Sequence, residues 1–242
     1  MWDYIQADHI AEQYDEYFAL NWLFEIDEQV LARHFCQPGL AIDLGCGTGR
    51  ALVALARRGL RGLGVDLSRP MLGIVREKAR AENLPIGVLQ ANLVELDCLR
   101  DASADYAVCL FSTMGMIRGR ANRHRFLTHV RRILKPGGLF VVHVHNFWCN
   151  LYDPGGRRWL LRHLPAVLFR RGLERGDKFF QYRGIPQMYL HTFTQGELVG
   201  SLRQAGFRVQ ELISLDVGRQ RPLRQAWFLG RFRANGWIAV CR

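Results

Sequence analysis

Leu40-Ala41-Ile42-Asp43-Leu44-Gly45-Cys46-Gly47-Thr48-Gly49 is the stretch that decides the fold. Leu40 to Leu44 reads as a short buried strand, and the glycines at 45, 47 and 49 stop it. Arg50 to Arg58 then carries apolar residues at helical spacing and ends at Gly59. A strand, a glycine turn and a helix in that order bring backbone N–H groups close to a ligand at the helix start. On its own the pattern is shared by many nucleotide-binding turns.

Reading outward, Gly62 to Asp66 makes a second strand, and Ser68 and Pro70 mark the start of a helix that runs from Met71 to Glu82. Ile86 to Gln90 and Asp105 to Phe111 read as strands three and four. Asn122 to Leu134 reads as a helix, Lys135-Pro136-Gly137-Gly138 as a turn, and Leu139 to His145 as strand five. This alternation predicts a doubly wound α/β fold on a mostly parallel sheet. Upstream, apolar residues from Ile10 to Phe35 recur at helical spacing and predict a helical cap.

Asn146 to Leu190 breaks the rhythm. It holds Pro154-Gly155-Gly156, basic and aromatic residues, and the strand-like Lys178 to Tyr182. Thr194-Gln195-Gly196-Glu197 then has capping-box spacing for a helix closing near Gly206, and Val209 to Leu215 and Trp237 to Cys241 supply two last strands. The expected organisation is one domain over 1–242. It divides into a cap at 1–36, a cofactor-binding core at 37–145, an acceptor-site insert or lid at 146–190 and the rest of the sheet at 191–242.

Asp66 ends the second strand about 20 residues beyond the glycine turn, where an acid meets ribose hydroxyls in dinucleotide-binding folds. That spacing points to an adenosine-type ligand. The turn is Gly-x-Gly-x-Gly, however, and Asp43 lies directly before it. A carboxylate there repels a pyrophosphate and favours a ligand carrying an ammonium and a sulfonium, because opposite charges attract in a partly dehydrated cleft. This weighs against NAD.

With those residues in place, the sequence resembles the class I S-adenosylmethionine-dependent methyltransferases over about residues 40–145. Ala41 to Gly49 is similar to the family's first motif and Gly64-Val65-Asp66-Leu67-Ser68 to its second. Asp105 to Phe111 and Ile133 to Leu139 are similar to the motifs of strand four and of the turn before strand five. The resemblance implies S-adenosylmethionine as cofactor, S-adenosylhomocysteine as product, and a sheet of order 3-2-1-4-5-7-6 with strand 7 antiparallel. It also implies that Asp43, Gly45, Cys46, Gly47 and Gly49 hold the methionine end, that Asp66 accepts both ribose hydroxyls beside Leu67, and that Leu93 meets the adenine. Where the family usually has an acid near the adenine amino group this chain has Asn92, whose carbonyl can accept in its place. Phe111 joins the cofactor site by topology, and Tyr14 resembles the family's N-terminal covering segment.

Methyl transfer needs alignment and removal of water more than it needs a base. His143 and His145 alternate with valines and share one face of strand five, and His145 lies at the strand end where a substrate could reach it. His145 is the candidate base, with a hydrogen-bonded structural histidine as the competing reading. His191 before the last helix is read either way. An Asn-Pro-Pro-aromatic signature is absent at Phe111-Ser112-Thr113-Met114, which argues against an exocyclic-amine target. Cys109 lies inside an apolar strand, which argues against covalent cytosine chemistry.

A formal charge of +11 rests almost wholly on arginine, and the acids crowd the segment before Arg33. Six cysteines without a Cys-x-x-Cys pair read as reduced thiols and imply no metal site. No signal-peptide pattern or membrane-length apolar run is evident, so the cytoplasm is the expected location. The basic aromatic insert, with Arg157 to Arg162 and Ala166 to Arg171, reads as a lid over a small organic acceptor. The rival partners are an RNA and a membrane interface, and a non-catalytic cofactor-binding protein is the rival of a different class. Nothing in the sequence assigns an oligomeric state.

Overall fold

A computed structural model describes residues 25–182 and 185–242. Strands β1 (Leu40–Leu44), β2 (Arg61–Asp66), β3 (Ile86–Gln90), β4 (Ala104–Cys109) and β5 (Leu134–His145) alternate with helices α2 (Arg50–Arg57), α3 (Arg69–Ala81), the short α4 (Thr113–Met116) and α5 (Arg120–Ile133). Helix α1 (Glu25–His34) precedes them. Beyond β5 come a 3-10 turn (Phe147–Tyr152), α6 (Pro154–Phe169), a ribbon of β6 (Asp177–Tyr182) and β7 (Ile185–His191), α7 (Gln195–Gln204), β8 (Val209–Ser214), α8 (Gly230–Arg233) and β9 (Gly236–Cys241).

The large sheet has the order β3-β2-β1-β4-β5-β9-β8, and β9 runs antiparallel to both neighbours. With the ribbon set aside, this is the expected 3-2-1-4-5-7-6 arrangement. The period-two alternation of the strands sorts side chains onto two faces. Ile42, Leu44, Val142 and Val144 pack with Phe126 and Val130 of α5 and Leu198 of α7. Ala41, Val108, Val141 and Ile238 pack with Ile26, Val30 and Leu31 of α1 and Leu55 of α2. Each fully buried Leu or Phe contributes about 1.5 to 3 kcal/mol, so burial on two faces is what holds the sheet between its helices.

Local chemistry explains most element ends. Ser68 Oγ accepts from Met71 N at 3.4 Å with Pro70 in the first turn of α3, and Gly59 and Gly206 take positive φ just past α2 and α7. Thr194 Oγ1 accepts from Glu197 N at 3.3 Å, as the capping-box spacing predicts, but the Glu197 carboxylate turns to His191 Nε2 at 2.8 Å. A buried imidazole outbids an ordinary cap partner.

Four expectations need correction. Lys135 to Gly138, expected as a separate turn, lies inside β5, where a register shift opposite Ala104 and Tyr106 and a positive φ at Gly137 absorb the glycines. Strand four stops at Cys109, short of Phe111. The insert holds a 16-residue helix and a two-stranded ribbon where a single strand was expected. His191 ends β7, buried, several residues before α7 begins. The part of the helical cap before residue 25, with Tyr14, lies outside the described residues.

Candidate functional site

The glycine turn follows from β1 running parallel between β2 and β4, which places its carboxyl end at the centre of the sheet edge. Gly45 N and Cys46 N donate to Val65 O at 2.7 and 3.1 Å, tying the turn to β2. Gly45, Gly47 and Gly49 have φ of 84°, 53° and 75°. A Cβ on Gly45 would stand 2.2 Å from Thr113 Cγ2, whereas one on Gly47 would meet nothing within 4 Å. Gly45 is therefore required by packing, and Gly47 fronts open space.

Asp66 reaches across this space. Its Oδ2 accepts from Gly47 N and its Oδ1 from Ser68 N, both at 2.9 Å. Burial raises the Asp66 carboxyl above its ordinary range, against the lowering pull of those backbone donors. Asp43, only 3% exposed, is pushed up to about 7 by burial and then by the nearby Asp66 charge, with Arg50 opposing. A buried carboxylate whose charge is disfavoured by burial and by a part-buried neighbour is what a cationic ligand relieves. The residues present therefore fit the S-adenosylmethionine that the sequence resemblance implies, with Asp43, Asp66 and the open side of Gly47 as the groups that would hold it.

The rest of the expected cofactor set arrives at the same edge. Gln90 Nε2 donates to Leu67 O at 3.0 Å, and Ala91 N to Asp66 O at 3.1 Å, joining the ends of β2 and β3. Asn92 Oδ1 accepts from Val94 N at 3.1 Å, an Asx turn that fixes the carboxamide and occupies one of its two lone pairs. Leu93 is buried next to it. Cys46 packs on Leu52, Leu72 and Val75, and burial followed by the Asp43 charge holds its thiol protonated.

On the other side, β4 ends in a strained turn. Phe111 and Ser112 both take left-handed backbone, with φ of 53° and 64°. The turn is stitched to β5: Ser112 N donates to His143 O at 2.9 Å, and Ser112 Oγ accepts from His145 N at 3.2 Å. The Phe111 ring meets the rings of His143 and His145 edge-on at 6.5 and 6.2 Å. As the alternation predicts, the two histidines share a face, and their chemistry differs. His143 is fully buried with Nδ1 3.0 Å from Asp27 Oδ1 of α1, a structural pair. His145 is half-buried, and its Nδ1 has no hydrogen-bond partner among the described residues. Burial, then His143 and Arg219, hold its pKa well below the ordinary value, so it is a neutral imidazole.

Sequence reasoning missed two contributors. Asp27 was legible only as one of many acids before Arg33. Arg219, from the connection between β8 and β9, sets its guanidinium 5.8 Å over the Phe111 ring, and no local pattern pointed to it.

A third buried cluster lies apart. His191 Nδ1 is 2.8 Å from Asp177 Oδ1 and its Nε2 2.8 Å from Glu197 Oε1. Tyr189 OH donates to Asp177 at 2.7 Å, and Arg123 pairs with Glu174 and Glu197. Glu174, Asp177 and His191 could offer three ligand atoms to a metal; here Glu174 pairs with Arg123, and Asp177 is bonded to His191 and Tyr189. The cluster acts as an ion-pair lock between the ribbon, α5 and α7.

A family of methyltransferase domains matches residues 41–138. The chain is 34% identical to the demethylmenaquinone methyltransferase of Thermus thermophilus over 190 residues, covering 74% of this chain and 80% of that one. It spans about half the length of several other curated relatives it matches, at 57%, 42% and 44% of three of them. Among solved structures, an S-adenosylmethionine-dependent methyltransferase of Methanosarcina mazei superposes with a TM-score of 0.70 at 20% identity, covering 88% of this chain and 95% of that one. The 1,6-didemethyltoxoflavin-N1-methyltransferase of Burkholderia thailandensis, with 1,6-didemethyltoxoflavin and S-adenosylhomocysteine bound, gives 0.64 at 17% identity, covering 97% and 84%.

Proposed function

Because the chain belongs to the class I S-adenosylmethionine-dependent methyltransferases, we propose that it transfers a methyl group to a small organic acceptor by direct displacement, with Asp43 and Asp66 as its principal cofactor ligands. The observation that carries this reading is the buried Asp43 and part-buried Asp66 carboxylates flanking an open glycine turn, a charge arrangement suited to a cation and hostile to a pyrophosphate. When bound, the cofactor supplies an activated methyl group and leaves as S-adenosylhomocysteine.

The chain's own residues do the positioning. Asp66 accepts from the ribose hydroxyls, Asp43 balances the charge of the methionine end, and Leu93 and Asn92 bound the adenine. Phe111 walls the acceptor side. These residues would align the acceptor's nucleophilic atom with the methyl group that the bound cofactor would supply, and the neutral His145 imidazole would accept the acceptor's proton. Two of the matched proteins bear the names of small-molecule methyltransferases, and this supports an acceptor of that size. No helix among the described residues is long and apolar enough to cross a membrane. The six free thiols support a reducing compartment such as the cytoplasm.

Calorimetry with S-adenosylhomocysteine and NAD tests the cofactor assignment: S-adenosylhomocysteine binds and NAD does not, and the opposite order overturns it. Turnover on a panel of small hydroxyl- and amine-bearing acceptors separates an enzyme from a binding protein. His145→Gln then lowers kcat roughly 100-fold with cofactor affinity unchanged. An equal kcat removes His145 from the chemistry.

A further inference from the structure

Helix α6 turns Gly156, Leu160 and His163 inward, with Trp159 stacked on His163 at 4.3 Å. Its other face is apolar and bare: Leu161, Leu168 and Phe169 are 74%, 80% and 85% exposed. At 100° per residue, Leu161, Leu164 and Leu168 form one stripe, and Arg158 and Arg162 run along its flank. From Pro154 to Leu173 the chain has five arginines and no carboxylate.

The connection between β8 and β9 repeats the combination. Trp227 is 83% exposed, with Phe228 and Leu229 also open, and residues 217–234 again hold five arginines and no carboxylate. The two segments are tied together through the 3-10 turn that leads into α6. Trp148 meets Phe232 at 5.2 Å, and Tyr152 OH donates to Arg233 O at 2.6 Å.

We infer that α6 and the Trp227–Leu229 segment form a docking surface for an anionic phospholipid bilayer. Leucine and phenylalanine side chains standing in water between arginines match an interface where apolar groups enter the acyl boundary and guanidiniums bind lipid phosphates. RNA would use the arginines and aromatic rings, but it offers nothing to the leucine stripe of α6. The helix is too short to cross the hydrocarbon core, so it lies along the surface. This surface is independent of the cofactor assignment.

Co-sedimentation of the full chain with phosphatidylcholine vesicles, with and without phosphatidylglycerol, is the test. The protein sediments with the anionic vesicles and far less with the neutral ones, and its tryptophan emission shifts to the blue. Leu168→Gln with Phe169→Gln weakens binding about tenfold or more through lost apolar contact. Arg158→Gln with Arg162→Gln weakens it roughly tenfold and flattens its salt dependence. All four positions lie outside the cofactor site, so affinity for S-adenosylhomocysteine stays unchanged and reports that the variants are folded. Absence of sedimentation with anionic vesicles, or equal sedimentation by the glutamine variants, overturns the inference. So does retention on polyuridine that vesicles fail to compete, which assigns the face to nucleic acid, or self-association lost in the same variants without lipid binding.

Discussion

Asp43→Asn should make the cofactor-free protein more stable while destroying its affinity for S-adenosylmethionine. Asp43 is buried at the end of β1, and burial together with Asp66 lifts its carboxyl from 3.8 to about 7. The folded state therefore binds more protons than the unfolded chain between those two values. Stability from this group is then fullest at low pH and falls as pH rises from about 4 to about 7. Three units at about 1.4 kcal/mol each put the cost of ionising Asp43 at pH 8 near 4 kcal/mol, and a neutral Asn recovers up to that amount. Urea denaturation of both proteins at pH 5 and pH 8 measures it. The variant gains about 4 kcal/mol at pH 8 and less than half of that at pH 5, where the unfolded chain is ionised and the folded carboxyl is still protonated. Cofactor binding follows the opposite course, because the cation needs the carboxylate: wild-type affinity falls about tenfold per pH unit below 7, with proton release on binding visible by calorimetry in buffers of different ionisation enthalpy. If Asp43→Asn is no more stable at pH 8 than the parent, or binds S-adenosylmethionine as tightly, Asp43 is not the poised charge described here.

Asp66→Ala removes the proposed ribose acceptor together with the bonds to Gly47 N and Ser68 N, and should weaken S-adenosylhomocysteine binding 10- to 100-fold by calorimetry, on the order of hydrogen bonds to a charged group; unchanged affinity refutes the role. Gly45→Ala faces both a left-handed φ and Thr113 Cγ2 at 2.2 Å, so melting should show a loss beyond the roughly 1 to 2 kcal/mol of backbone strain alone, and adding Thr113→Ala should restore only the steric part. His191 is pulled down by burial, but its bonds to Asp177 and Glu197 prevail and hold its pKa above the ordinary value. Its stabilisation is full below about 6.5 and is lost as pH rises through that raised pKa, so the cost of His191→Ala, about 3 kcal/mol at pH 6, should shrink in alkaline buffer.

The cofactor half of the site was legible because it is local. Asp43, the glycines and Asp66 lie within 24 residues of one another, and a strand, turn and helix in series fix their geometry without help from distant chain. The period-two alternation likewise gave the shared face of His143 and His145. What stayed hidden depends on long-range partners. Asp27 earns its meaning from His143, 116 residues away, and nothing in Glu25-Ile26-Asp27-Glu28 distinguishes the buried carboxylate from its neighbours. The same holds for Glu197, whose capping-box position suggested a local partner although its carboxylate serves His191. The Lys135-Pro136-Gly137-Gly138 run misled for a different reason: a bulge at a strand start uses the same residues as a turn.

The acceptor side gains its character from convergence. Consecutive left-handed residues at Phe111 and Ser112 cost about 1 to 2 kcal/mol each, and the turn persists because both the amide and the hydroxyl of Ser112 are bound to β5. That turn aims the Phe111 ring at His145, and the β8–β9 connection lays Arg219 over the same ring. Three segments far apart in sequence thus bring a neutral imidazole and a half-buried guanidinium together, and Arg219 has no carboxylate partner among the described residues. Burial pulls its pKa below the usual value. The Asp27 charge offsets part of that cost, so a half-buried guanidinium and a neutral imidazole stand together on the acceptor side of the sheet edge.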